Sequence, residues 1–302
     1  MAVTRATTEI AWTWLGKTVE IGVDRLGTGP TLLMLPALSS ISTRKEMWPL
    51  QMKLASAYET ISVDWPGFGD REKPEVDWRP EAYTAFLDHL VTHIVPQPTA
   101  TCAAGHASAY ALAQAVAAPG SMGRLCLIAP TWRGPLPTMT GKPKDAFAWI
   151  VRAIDLPLLG PMLYKLNVNP FMVRMMGRGH VYADPNWLTG PHLAEKLSVT
   201  KSTGARYASV RFVTGALDRI QNRNELLSLA ARVGEAILVL YGAATPPNSK
   251  AEMEVLGGLK NVRVVALPSG KLAVHEEFPD DTASAVRAFL LENSILPRPE
   301  RG

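Results

Sequence analysis

The sequence predicts an α/β fold: a mostly parallel, eight-stranded sheet flanked by helices and interrupted by one helical insertion. Short β-branched runs alternate with longer helical patterns along most of the chain. The alternation stops between residues 135 and 222, where helical patterns punctuated by Pro and Gly take over, and two more strands follow. A glycine-bearing turn, AAGHASA, joins an apolar strand to an alanine-rich helix.

The elements follow in order. TEIAWTW (8–14) and TVEIGVD (18–24) are separated by Leu15-Gly16-Lys17 and predict a hairpin. TLLMLP (31–36), ETISVD (59–64), TATCAAG (99–105) and RLCLIAP (124–130) are strand-length apolar runs. Such runs suit strands buried on both faces. Helical patterns lie between them at 44–58, 80–94 and 107–118. AILVLY (236–241) and VRVVAL (262–267) complete the sheet. The chain therefore divides into a core at 1–134 and 223–302, with an inserted cap at 135–222.

Composition narrows the function. Of 302 residues 47% are apolar and 19% charged, so a sizeable core forms and global disorder is excluded. The net charge of +4 argues against nucleic acid as the partner. Two cysteines, Cys102 and Cys126, support neither a disulfide framework nor a Cys-rich zinc site. His89 and His93 stand four apart on a helical pattern but lack an adjacent Glu or a third ligand, so no metal is expected. No cofactor is expected either, since the PGFG turn lacks the Lys-Ser/Thr of a nucleotide loop. No apolar stretch reaches the length of about 18 residues that a membrane span needs. The N-terminus lacks a secretory pattern, and a cytoplasmic location is expected.

The strand-to-helix turn is where chemistry is expected. A nucleophile held on such a turn needs small residues two before and two after it, because strand and helix pass closely there. Ala107, flanked by Gly105 and Ala109, meets this condition, whereas Ser108 would have His106 and Tyr110 as flanks. The expected turn residue is Ala107, which carries no nucleophile.

These features resemble the α/β-hydrolase superfamily over nearly the whole chain. DWPGFGD (64–70) is similar to the family's Asp-x-Pro-Gly-x-Gly-x-Ser stretch, with Asp70 where Ser is usual. LPALSS (35–40) stands where the family builds half of its oxyanion hole, and GKLAVHEEFPDD (270–281) is similar to its C-terminal His-bearing motif. AAGHA, APTWRGPLPTM, VYADP and SKAEME resemble a cyanobacterial and plastid branch that often shows Ala at the nucleophile turn. That branch would place the protein in plastid stroma or at the thylakoid periphery.

Carried over residue by residue, the resemblance puts the nucleophile at Ala107, the acid at Thr245 and the base at Lys271. None of these side chains can perform its usual task. His275, in AVHEEFP, is identified with a second His of the family, although a bent loop would bring it or Glu276 into the pocket. The implied oxyanion donors are the backbone N–H of Ser108 and one near Ala37 or Leu38. Ser39, Ser40, His106, Trp132, Arg133 and Lys271 are expected around them.

Three functions are compatible with this pattern. The first is a non-hydrolytic binder of a small, apolar, carbonyl-bearing ligand or of a partner protein; the same residues also fit a filled, vestigial site. The second is a hydrolase or lyase working with Lys271, His106 or His275 as a non-standard base. The third is a membrane-peripheral scaffold. From Lys142 to Arg206 nine basic residues face four acidic ones, a local excess of +5 interleaved with bulky apolar residues. That suits an anionic membrane, or equally an ordinary cap with its charges in water.

Overall fold

A computed structural model describes residues 5–292. Its eight strands form one sheet in the order β1-β2-β4-β3-β5-β6-β7-β8: Arg5–Trp14, Lys17–Leu26, Thr31–Leu35, Glu59–Val63, Ala100–Ala104, Arg124–Ile128, Ile237–Gly242 and Val262–Leu267 carry the labels β1 to β8 in chain order. β1 and β2 are antiparallel, as are β2 and β4; every other neighbouring pair is parallel. The predicted hairpin forms with Trp14 opposite Lys17. Its two turn residues, Leu15 and Gly16, both have positive φ, which matches the turn twist to that of the strands.

The inner parallel strands are buried along nearly their whole length because helices cover both faces. Leu33, Leu35 and Ala103 point into one core with Tyr83, Phe86 and Leu112; Leu32, Met34 and Cys102 point into the other with Leu50, Val286 and Phe289. This is the period-two alternation of a strand read against two buried layers. Helices Pro80–His89, Ala107–Ala117 and Arg223–Arg232 cover the first face, and Trp48–Leu54 and Pro279–Glu292 the second. The two cysteines are buried, unpaired, and opposite each other in the β5–β6 register.

The helix predicted at 44–58 divides. A 3₁₀ turn, Arg44–Met47, precedes the helix Trp48–Leu54. Between β6 and β7 every described element is helical. The helices Ala148–Asp155, Leu159–Asn167, Pro170–Met176, Gly190–Lys201 and Ala205–Thr214 rise over the C-terminal ends of the strands. Arg211 ties this insertion to the rest of the fold through Asp77 at 3.1 Å, and holds two of its helices together through Asp155 at 2.8 Å. No helix among the described residues is long and apolar enough to cross a membrane.

Candidate functional site

The sharp turn after β5 lies two residues earlier than the sequence suggested. The left-handed residue is Gly105, at φ +50°. Ala107 is the first residue of the helix Ala107–Ala117 and packs in the core without exposed surface. The expected register at Ala107 is therefore corrected to Gly105. Its flanks, Ala103 and Ala107, are as small as Gly105 and Ala109, so the flank test alone could not separate the two registers. A Cβ placed on Gly105 would meet only Ala37 Cβ at 3.2 Å and Thr131 Oγ1 at 3.8 Å. The turn thus aims at the gap between the loops that follow β3 and β6.

That gap opens into a cavity of about 480 Å3, largely apolar, beneath the insertion. Ala37, Leu38, Ser39, Ser40, His106 and Arg133 line it, as does His275. One end is polar. Glu46 comes from the 3₁₀ turn, Lys196 from the helix Gly190–Lys201, and His275 and Glu276 from a short helix after β8. Lys196 Nζ lies 2.9 Å from Glu276 and 3.9 Å from Glu46, and the Tyr182 hydroxyl donates to Glu276 at 2.8 Å. Burial would lower the Lys196 ammonium, but Glu276, Tyr182 and Glu46 together hold it well above its ordinary value. Burial would likewise raise Glu46, yet His275, Lys196 and Ser42 keep it below its ordinary value. The stability that Glu46 contributes is therefore present above pH 4.5 and lost as pH falls. His275 Nε2 faces Glu46 at 3.6 Å, an ion-pair contact longer than a hydrogen bond, and neither ring nitrogen has a hydrogen-bond partner among the described residues.

The ligand atoms of Glu46, His275 and Glu276 lie within 4.8 Å of one another, a spacing that would suit a cation. Lys196 already supplies a positive charge at that point, so the cluster is complete as an ion-pair network. Sequence reasoning missed Glu46 and Lys196. Only the fold brings residues 46, 196 and 275 together, and no local pattern marks them.

Residues 32–285 match the family described as "Alpha/beta hydrolase family". The chain belongs to that family. No curated protein matches it. Among solved structures it is similar to a thermophilic esterase from Thermogutta terrifontis, at 18% identity and a TM-score of 0.71, covering 95% of this chain and 98% of that one. Cfl2 from Burkholderia cenocepacia is similar at 19% identity and a TM-score of 0.71, covering 94% and 96%. The haloalkane dehalogenase DbeA from Bradyrhizobium elkani is similar at 17% identity and a TM-score of 0.70, covering 96% and 99%. At these identities the likeness concerns the fold.

Several positions inherited from the α/β-hydrolase resemblance fall outside the cavity. Lys271 is directed away, and its ammonium donates to the carbonyl of Arg178 at 2.6 Å. Thr245 is buried without a hydrogen-bond partner for its hydroxyl among the described residues, and its neighbours Pro246 and Ser249 reach the lining instead. Ser108 is buried in the helix, with its hydroxyl donating to Ala103 O at 3.0 Å and its N–H to Gly105 O at 3.2 Å. The expected oxyanion donor at Ser108 is thus committed to the helix start. The N–H of Ala37 is committed as well, donating to Glu46 at 2.6 Å. Trp132 lies under Arg133, whose guanidinium is 5.3 Å from the ring centre; only Arg133 reaches the cavity.

Asp70, where the family usually has Ser, belongs to a buried ion network behind the site. The Arg44 guanidinium lies 2.8 Å from Asp70, 3.2 Å from Asp24 and against Asp64, and Lys45 meets Asp70 at 2.8 Å. Burial works to raise the Asp70 carboxyl, but the hydrogen bonds from Lys45 and Arg44 hold it far below its ordinary value. Gly69 permits this packing, since a Cβ there would strike the Asp64 carboxylate.

A second buried pair lies at the other side of the turn. His106 Nε2 is 3.3 Å from Asp218, which also accepts the Gly134 N–H at 2.9 Å. Burial pushes His106 down to about 4 from 6.5 and Asp218 up to about 7 from 3.8. The His106 contribution to stability is lost as pH falls from 6.5 to about 4; the Asp218 contribution is lost as pH rises from 3.8 to about 7. The two slopes oppose each other across the shared window. Asp218→Asn removes one of them and keeps an acceptor for Gly134. Relative to wild type, the variant should gain about 1 kcal/mol per pH unit between pH 4.5 and 6.5. Urea unfolding of both proteins at three pH values measures this, and parallel profiles would refute the opposed titration.

Proposed function

We propose that this protein is a non-hydrolytic member of its family that binds an apolar molecule bearing a carbonyl or carboxyl group. The observation that carries this reading is the glycine at the turn. Gly105 occupies the strained, left-handed position where the fold presents a nucleophile, and it has no side chain to attack a carbonyl. The nearest hydroxyl in the lining, Thr131, stands beside the gap and not on the turn. The apolar lining suits hydrocarbon, and the Glu46–Lys196–Glu276 end, with His275 beside it, suits one polar group. A ligand polar atom at His275 would give a hydrogen bond to a buried ring that has none among the described residues.

A fluorophosphonate probe should leave the protein unlabelled, and aryl esters should not turn over above background. Native mass spectrometry of protein purified from its own cells should show a co-purifying apolar molecule. Stoichiometric labelling, or hydrolysis abolished by His275→Ala, would replace this reading with the second one. That second reading is an enzyme in which His275 activates water as a general base. The observation in its favour is that His275 lies at the cavity wall with Glu46 3.6 Å from its Nε2 and no hydrogen bond to either nitrogen among the described residues.

A further inference from the structure

The outer face of the insertion is unusually apolar for a surface in water. Twelve large hydrophobic residues are exposed among the described residues, and nine of them fall between Met139 and Met175. Leu158 is 92% exposed, Phe171 71%, Trp149 67% and Leu166 63%. Their spacing is regular. Leu158, Met162 and Leu166 recur every fourth residue, which places them on one side of the helix Leu159–Asn167. Phe171 and Met175 repeat the spacing on the helix Pro170–Met176. The opposite side of the first helix is held down by Tyr164, packed with Ile154, Ala205 and Val210. Monomeric proteins rarely leave a patch of this kind uncovered.

Charge selects the occupant. Between residues 139 and 178 there are six cations, Lys142, Lys144, Arg152, Lys165, Arg174 and Arg178, and two acids, Asp145 and Asp155. Asp155 is held by Arg211. A second copy of the same face would bring like charges together, whereas an anionic bilayer offers both hydrocarbon for the apolar stripe and phosphate for its rim. Geometry agrees. The helical stretches 144–155 and 159–167 meet at 118°, neither alone long enough to span a bilayer, with Leu156, Leu158 and Leu159 at their corner. Met139 and Met175 are exposed and also line the cavity, so apolar side chains stand at its mouth.

We propose that this face docks the protein on an anionic membrane, with the corner at Leu158 and the Phe171 ring entering the lipid and the cavity mouth opening onto it. The inference goes beyond ligand binding and stands whether or not the cavity is filled. Co-sedimentation with phosphatidylcholine vesicles, with and without phosphatidylglycerol, at low and high salt, tests it. Wild type should bind the anionic vesicles and weaken with salt. Leu158→Asp combined with Phe171→Asp should abolish binding while leaving the circular dichroism melt unchanged, because both side chains are exposed. Lys165→Ala and Arg152→Ala should each weaken binding about five-fold at low salt. No binding of wild type to anionic vesicles would overturn the proposal, and so would undiminished binding by the double variant. A dimer in sedimentation equilibrium that the double variant dissociates, with no vesicle binding, would overturn it in favour of self-association. Fluorophosphonate labelling and native mass spectrometry involve no vesicles, so failure of the ligand-binding reading is scored separately.

Discussion

Arg44→Met should destabilise the protein by about 3–5 kcal/mol, because it strands buried carboxylates without a counter-charge. The guanidinium is almost completely buried and faces Asp24, Asp64 and Asp70. Methionine fills much of the same volume, so the loss reports charge and not a cavity. A pH signature separates this from a packing defect. Orphaned aspartates take up protons more readily folded than unfolded, so the deficit should shrink as the solution is acidified. Arg44→Lys keeps the charge but loses the planar fork that serves several acceptors, and should fall between the two. Urea denaturation at neutral and mildly acidic pH measures all three proteins. A deficit below about 1 kcal/mol for Arg44→Met would show that the network merely neutralises itself.

Gly105→Cys should be alkylated rapidly in the native state by a small reagent such as iodoacetamide, while Ala107→Cys should not. A thiol on Gly105 would point into the cavity; one on Ala107 would sit in a core with no exposed surface. Cys102 and Cys126 are fully buried and provide a silent background. The rates should differ on the order of 100-fold or more, since a buried thiol reacts only when the structure opens. The Gly105 variant should lose about 1 kcal/mol from the left-handed backbone conformation, little enough for it to remain folded. Equal protection of both thiols, or faster reaction at Ala107, would return the turn to the register first suggested by the sequence.

The strands were legible because β3, β6 and β7 hold unbroken apolar runs, the others are rich in β-branched or apolar residues, and all are bounded by turn residues or helical patterns. Helix bounds were less so. Arg44–Met47 tightened into a 3₁₀ turn because Arg44 and Glu46 are both drawn inward, Arg44 to Asp24 on β2 and Asp64 just after β4, and Glu46 to the Ala37 N–H. Lys271 and His275 exchanged places for a related reason. Gly270 turns the chain at φ +95°, Lys271 caps a carbonyl outside, and the next short helix delivers His275 to the cavity. Spacing from a glycine measures distance along the chain, and a four-residue helix redirects it.

Apolar periodicity and small-residue spacing, which act between neighbours in sequence, were enough to dictate the sheet, the inserted helices and a turn crowded by strand and helix. They could not choose between Gly105 and Ala107, because AAGHA and GHASA are equally small at their ends. That choice was made by one backbone dihedral, set by how β5 hands over to its helix. The polar end of the cavity, with Glu46, Lys196, His275 and Glu276, likewise came only from tertiary structure. Those residues are up to 230 positions apart in the chain and within a few ångströms in space. No pattern along the sequence encodes an electrostatic balance that exists only once burial has removed the water between them.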